Sequence, residues 1–227
     1  MRKRSVSGLA CVAALLFAAG PANATLIGFE DVSGDAVAAV KTTSPPNPVS
    51  PNPNDGILLA WDELQNVVLI QDLAVDRVFD TSASFIEPRV GGGWWIKAGT
   101  VVSSHYFQWD PLGSGGSGSV DATLVFDATI FAFITRDGFL FSSDPVLGLP
   151  QLDYSDFGLR GLEAGDTTIF NNERVDIHWT ASSPGDWTRL ITAFSPAADP
   201  VIPEPTTLTL IGLGVAGLVG LRRRSRK

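Results

Sequence analysis

The stretch Arg174-Val-Asp-Ile-His-Trp-Thr180 is the clearest strand in the sequence, and it sets the expectation for the fold. Its apolar residues occupy every second position from Val175 to Trp179, so an extended chain places them on one face. A second apolar run at 167–170 precedes it, and Asn171-Asn172 between the two runs is typical of a tight turn. The stretch therefore predicts a β-hairpin with one buried face.

Short apolar runs of strand length recur along the chain. Further examples lie at 26–30, 57–61, 67–70, 122–126, 129–135 and 187–194. Arg136-Asp137-Gly138 precedes another run at 139–141, and Asp-Gly in this position predicts a second hairpin with a type I′ turn. No sustained period of 3.6 residues is present between residues 25 and 201, so no helix is expected there. We predict an all-β fold, an antiparallel β-sandwich, for which a jelly roll is one suitable arrangement.

Two loops interrupt this predicted domain, which we place at residues 25–199. Residues 41–56 contain five prolines, which fix φ and remove backbone donors, and we expect an extended surface loop. Residues 113–119 are glycine and serine only, which is typical of a flexible connector. A G-x-G-x-x-G pattern falls inside this connector, but no helix is predicted after it, so it does not indicate a dinucleotide site.

The amino terminus has the features of a cleavable signal peptide over residues 1–24. Three cations at 2–4 precede an apolar run at 6–19, and Ala22-Asn-Ala24 supplies small residues at a cleavage site before Thr25. The single cysteine, Cys11, lies inside this segment. The mature chain is therefore expected to be free of thiol and disulfide chemistry.

Residues 200–227 have three consecutive parts. Pro203-Glu204-Pro205 is followed by sixteen uncharged residues at 206–221. The basic tail at 222–227 contains Arg222, Arg223, Arg224, Arg226 and Lys227. As a helix, 206–221 would reach about 24 Å, a little short of a hydrocarbon core of about 30 Å. We predict a short, transient transmembrane helix whose basic tail stops translocation, with the domain before it outside the cell.

This order of triplet, helix and basic end resembles the PEP-CTERM sorting signal of bacterial surface proteins. The resemblance implies recognition by an exosortase, a membrane-embedded transpeptidase-like enzyme that cuts near the triplet. It also implies an extracellular matrix setting with exopolysaccharide and biofilm. Small residues at Gly212, Ala216 and Gly220 form one helix face, and we expect this face to pack against the enzyme.

A looser resemblance covers the domain itself. The segments at 98–105, 107–111, 159–163 and 184–192 are similar to stretches in the extracellular part of other PEP-CTERM proteins. This similarity implies one continuous β-rich ectodomain, and it implies no particular activity.

The charge of the expected mature domain excludes some partners. The whole chain has 24 acidic and 16 basic residues. Three cations lie in the signal peptide and five in the tail, which leaves eight cations against 23 carboxylates, a net charge of about −15. Such a domain repels nucleic acid and anionic membrane surfaces. Calcium and cationic polymers remain as partners that this charge would favour.

The residues give little support for catalysis, and we expect a non-enzymatic protein. The only histidines are His105 and His178, too few for a zinc site without cysteine. No Gly-x-Ser-x-Gly motif of a serine hydrolase is present. Carboxylates are plentiful, but their spacing selects no catalytic pair. A secreted hydrolase of an unrecognised type remains the third hypothesis.

The sequence leaves two binding functions as hypotheses, a structural calcium site and carbohydrate binding. Asp153, Asp156, Glu163 and Asp166 form the best group of oxygen ligands for a structural calcium ion, although no EF-hand pattern is present. No other cofactor is expected.

A carbohydrate-binding module is the main alternative function. Aromatic rings stack on sugar faces while nearby carboxylates accept hydroxyl hydrogens. The domain contains six tryptophans: Trp61, Trp94, Trp95, Trp109, Trp179 and Trp187. Trp94 and Trp95 are adjacent, so in a strand they would point to opposite faces and one of them would be exposed or at an edge.

Overall fold

The computed structural model describes residues 26–156 and 158–194. Within these ranges the chain forms fourteen strands and one helix. The elements are β1 (Leu26–Gly34), β2 (Ala38–Lys41), β3 (Ile57–Asp62), β4 (Val67–Val68), β5 (Leu73–Val75), β6 (Arg77–Val78), β7 (Ile86–Pro88), β8 (Trp94–Ile96), β9 (Val101–Trp109), β10 (Ser117–Phe126), β11 (Ile130–Ile134), α1 (Asp137–Leu147), β12 (Thr167–Asn171), β13 (Arg174–Ser182) and β14 (Asp186–Thr192).

The strands form three sheets. The four-stranded sheet has the order β1-β10-β13-β12 and is antiparallel throughout. The seven-stranded sheet has the order β2-β3-β9-β14-β11-β6, with β4 also paired to β9. The three-stranded sheet has the order β5-β8-β7. The mostly β fold is confirmed, but β2 and β3 pair in parallel, which differs from a wholly antiparallel architecture.

The predicted hairpin at 167–180 is present as β12 and β13. Burial alternates along β13, with Val175, Ile177 and Trp179 buried and the intervening residues exposed. The buried residues belong to the first core, which also includes Leu124 of β10 and Phe107 of β9. This core joins the four-stranded sheet to one face of the seven-stranded sheet, as in a sandwich.

A second core covers the other face of the seven-stranded sheet. Tyr106 of β9 and Trp187 of β14 belong to the same buried cluster as residues of the three-stranded sheet and of α1, such as Ile96 and Leu140. The molecule therefore has a third layer beyond the predicted sandwich. Because both faces of the seven-stranded sheet are covered, all seven residues of β14 are buried and no alternation is visible in its sequence.

The predicted hairpin at Arg136-Asp137-Gly138 and the strand at 139–141 are wrong. This region is α1, an eleven-residue helix. Its buried residues, Leu140, Ser143 and Leu147, have the spacing of one helix face. Because Ser143 is polar, this face does not appear in the sequence as a regular apolar pattern. Pro145 inside the helix further obscures the pattern.

The two predicted loops are mostly present. Residues 42–56 contain neither helix nor strand, but Val49 is fully buried, so the segment is attached to the second core and is not wholly a surface loop. The predicted connector at 113–119 ends early, because Ser117 already begins β10 and pairs with Ser182. Asp35 accepts a hydrogen bond from the Ser119 N–H, which holds this part of the strand.

The terminal segments lie outside the described residues. This applies to the predicted signal peptide at 1–24, the cleavage site before Thr25, the helix at 206–221 and the basic tail at 222–227. Across residues 26–156 and 158–194, α1 is too short and insufficiently apolar to cross a membrane.

Candidate functional site

Trp94 and Trp95 lie on opposite faces of β8, as their adjacent positions predict. Trp94 is half-buried and packs against the second core. Trp95 is also half-buried, and β8 is the central strand of its sheet, so neither tryptophan is exposed or at an edge, contrary to the prediction; Trp95 nevertheless lines an open groove of about 560 Å³. The structure therefore separates a core tryptophan from a tryptophan at a surface that a ligand can reach.

This Trp95 groove lies between the three-stranded sheet and α1. It is lined by Gln71, Asp72, Leu73, Ala74, Arg89, Trp95, Gly138, Phe139, Ser142 and Val146. The Arg89 guanidinium lies 5.1 Å from the centroid of the Trp95 ring and 4.9 Å from that of Phe139. The groove therefore presents an aromatic ring, a cation and several hydrogen-bonding side chains to the same ligand.

The carboxylate at the edge of the groove is held in place. Asp72 accepts a hydrogen bond of 2.9 Å from the Ala98 N–H and forms an ion pair of 3.0 Å with Lys97. The backbone bond and then Lys97 lower the pKa of Asp72 from its usual value, so the side chain is ionised at neutral pH. Lys97 also forms an ion pair of 3.2 Å with Glu87.

Only two of the four predicted calcium ligands come together. Glu163 and Asp166 lie with Asp186, and one carboxylate oxygen from each falls within 4.8 Å of the others. We call these three residues the acidic cluster. Asp153 and Asp156 instead line a separate depression beside the end of α1. The cluster thus contains a ligand, Asp186, that the sequence did not single out.

The members of the acidic cluster differ in their hydrogen bonds. Asp166 accepts N–H bonds from Glu163 at 2.7 Å and from Thr180 at 2.8 Å. Asp186 is 1 % exposed, and neither of its carboxylate oxygens accepts a hydrogen bond from an N–H or hydroxyl group of the described residues; its carboxyl instead faces that of Glu163. Burial, followed by the charges of Asp166 and Glu163, raises the pKa of Asp186 to about 9.

A buried network of charged residues connects α1 to the seven-stranded sheet. Arg189 forms two hydrogen bonds with Glu63, at 2.5 and 2.7 Å, and one with Asp144 at 3.0 Å. Arg160 forms two with Asp144, at 2.7 and 2.8 Å, and also donates to the Tyr106 hydroxyl. Two cations thus face two carboxylates, so the network is electrically balanced.

Each histidine is paired with an aspartate. His105 is fully buried, and its Nδ1 lies 2.8 Å from Asp62 while its Nε2 lies 3.2 Å from the Thr192 hydroxyl. His178 lies on the exposed face of β13, with its Nδ1 2.7 Å from Asp121. Both arrangements place the imidazole beside a carboxylate.

Sequence reasoning missed three residues that build these sites. Asp186 follows Pro184 and Gly185 at the start of a strand that is buried along its whole length, so no alternation marked it as inward-facing. Arg89 and Phe139 reach the Trp95 groove from a loop and from α1, and the predicted strand at 139–141 concealed the second of them.

Comparison with known proteins identifies the carboxyl-terminal segment. A family model described as the PEP-CTERM protein-sorting motif matches residues 201–224, which include Pro203, Glu204 and Pro205. No curated protein and no solved structure matches the chain. The predicted resemblance is confirmed, and the molecule is a mostly β protein that carries a PEP-CTERM sorting motif. The motif implies export and processing by an exosortase.

Proposed function

We propose that this protein is a non-enzymatic component of the cell surface or extracellular matrix, associated with exopolysaccharide and biofilm. The observation that carries this proposal is the sorting motif at 201–224, next to a domain with its own packed cores. The buried charges of Arg189 and Arg160 are used in structural ion pairs, which is consistent with a scaffold.

Delivery follows from the order of the carboxyl-terminal parts. The sixteen uncharged residues at 206–221 hold the chain in the inner membrane until the exosortase cuts near Pro203-Glu204-Pro205. The ectodomain then leaves the membrane or becomes attached at the surface. Its net charge of about −15 keeps it soluble there and favours cationic partners.

The mass of the mature protein tests this delivery. We expect protein recovered from the surface or medium to begin at Thr25 and to lack the basic tail at 222–227. A terminal adduct on the measured mass would show what the protein is attached to. Cells without the exosortase provide the control, because they should retain the uncut carboxyl terminus in the membrane.

One result would overturn the proposed delivery. It is full-length protein, including Lys227, permanently in the inner membrane of cells that contain a working exosortase. Such protein would be an ordinary membrane-anchored protein in spite of its motif.

The Trp95 groove favours a second candidate function, carbohydrate binding by the ectodomain. The groove offers an aromatic ring for a pyranose face, and Arg89, Asp72, Gln71 and Ser142 supply hydrogen-bond donors and acceptors beside it. A polysaccharide ligand of this kind would retain the protein in the matrix after its release from the membrane.

Cosedimentation with the polysaccharide of the host cell tests the groove. We expect Trp95→Ala to weaken binding by about tenfold or more, because the stacking surface is lost. Phe141→Ala is the matched control, since Phe141 is an exposed aromatic residue of α1 that does not line the groove. Equal binding by both variants and the unmodified protein would exclude the groove, and release of reducing ends would instead indicate a hydrolase.

A further inference from the structure

We propose that Glu163, Asp166 and Asp186 bind a calcium ion that joins the two sheets of the sandwich. One carboxylate oxygen from each of the three lies within 4.8 Å of the other two. Three carboxylates can supply up to six oxygens, and calcium accepts six to eight in flexible geometry. Calcium is therefore a better fit than magnesium, which demands near-ideal octahedral geometry and retains several waters.

Asp186 provides the independent observation that points to a cation. It is 99 % buried, and no N–H or hydroxyl group of the described residues donates to either of its oxygens; within the cluster it faces the carboxyl of Glu163, which is also acidic. The charged form of an acidic side chain in such a position is costly unless a cation compensates it. A bound cation would satisfy both oxygens and neutralise the repulsion from Glu163 and Asp166.

A fourth acidic residue, Asp110, adds to the negative field at this position. Asp110 is fully buried just beyond the end of β9, and its Oδ1 also lacks a partner among the described residues. Its charge acts on Asp186 in the same direction as those of the cluster. Glu163 is exposed, so a cation can reach the cluster from solvent.

The position of the cluster gives the ion a structural role. Asp166 immediately precedes β12 of the four-stranded sheet, and Asp186 is the first residue of β14 in the seven-stranded sheet. Glu163 lies in the connection that leads from α1 to β12. One ion would therefore fix this connection to both sheets. This role does not depend on carbohydrate binding by the Trp95 groove.

Calorimetric titration and thermal unfolding of the whole chain with calcium test the site. We expect one bound ion per chain. At a free calcium concentration about a hundred times the dissociation constant, the melting temperature should rise by about 5–10 °C. Asp186→Asn should abolish both effects. It should not lower the melting temperature in chelator, because it removes a buried acidic group that faces two other acidic side chains.

Asp153→Asn and Asp156→Asn are the matched controls, because these acidic residues lie outside the cluster. Both should keep the binding and the thermal shift of the unmodified protein. The proposal is overturned if the unmodified protein binds no calcium, since the buried carboxyls would then share protons instead. The proposal is also overturned if calcium raises the melting temperature of the unmodified protein and of all three variants equally. That result would indicate general screening of the acidic surface.

Discussion

Arg189 has no exposed surface, and its guanidinium contacts two carboxylates that lie far away in the sequence, Glu63 and Asp144. Removing an ion from water costs several kcal/mol unless its partners compensate. Here Arg160 supplies the second cation, and the planar guanidinium groups form two-pronged contacts with carboxylates. The network therefore fixes the position of α1 against the seven-stranded sheet, in addition to stabilising the fold.

Asp62 is the residue for which we expect a clear pH dependence. Burial raises its pKa, but hydrogen bonds and charge from His105, followed by those from Lys41, outweigh burial and lower it below the usual 3.8. A carboxyl with a lowered folded-state pKa adds stability above its unfolded pKa, and this stability is lost as the pH falls through the folded value. Asp62→Asn should therefore destabilise the protein near neutral pH, and the difference should shrink below about pH 4.

Urea unfolding of both proteins from about pH 6 down to about pH 2 measures this difference. Asp121→Asn is the matched control, because Asp121 also faces a histidine but both side chains are nearly half exposed. An exposed pair contributes little, so this variant should change stability only slightly at any pH. A constant effect of Asp62→Asn across the range would contradict the role of the charge.

At the scale of the element, α1 is the feature that differs most from the sequence prediction. Its residue Leu140 is fully buried against the second core, while its neighbour Phe141 is 54 % exposed. We expect Leu140→Ala to lower the free energy of unfolding by about 2–5 kcal/mol, because it leaves a cavity in the core. Urea unfolding of the whole chain measures this loss.

Phe141→Ala serves as the control and should change the stability by much less. The strand predicted at 139–141 would place Phe139 and Phe141 on one face and Leu140 on the other. With Phe139 and Phe141 on the buried face, Phe141→Ala would cost more stability than Leu140→Ala. A larger loss for Phe141→Ala than for Leu140→Ala would therefore contradict the helix.

The strands show which elements a sequence pattern can identify. β13 has one face in the first core and one in solvent, so its residues alternate and the sequence predicted it well. β9 and β14 are covered on both faces, and buried polar residues such as His105 and Arg189 interrupt their apolar runs. The apolar run at 187–194 predicted β14 close to its observed bounds, but the central position of both strands in the larger sheet could not be predicted.

The whole molecule combines a three-layer β domain with a sorting motif at its carboxyl end. In the predicted mature chain, which is free of cysteine, the stability of the domain depends on its two cores, on the ion-pair network and, as proposed, on calcium. Because the sorting motif implies export, the proposed site would have to take its calcium from outside the cell. The proposed export and the proposed ion site are therefore compatible but can be tested separately.

The sequence by itself determined the sorting motif and the half-buried hairpin, because both depend on residues that are close together along the chain. Only the tertiary structure decided the third layer, the helical state of α1 and the partners of Glu163 and Asp166. Asp186 lies beside them although it follows Asp166 by twenty residues in the sequence. Arg189 binds Glu63, from which it is separated by 126 residues. Contacts between residues so far apart in the sequence depend on how the sheets stack and on which faces they cover. The local order of residues does not directly encode how the sheets stack.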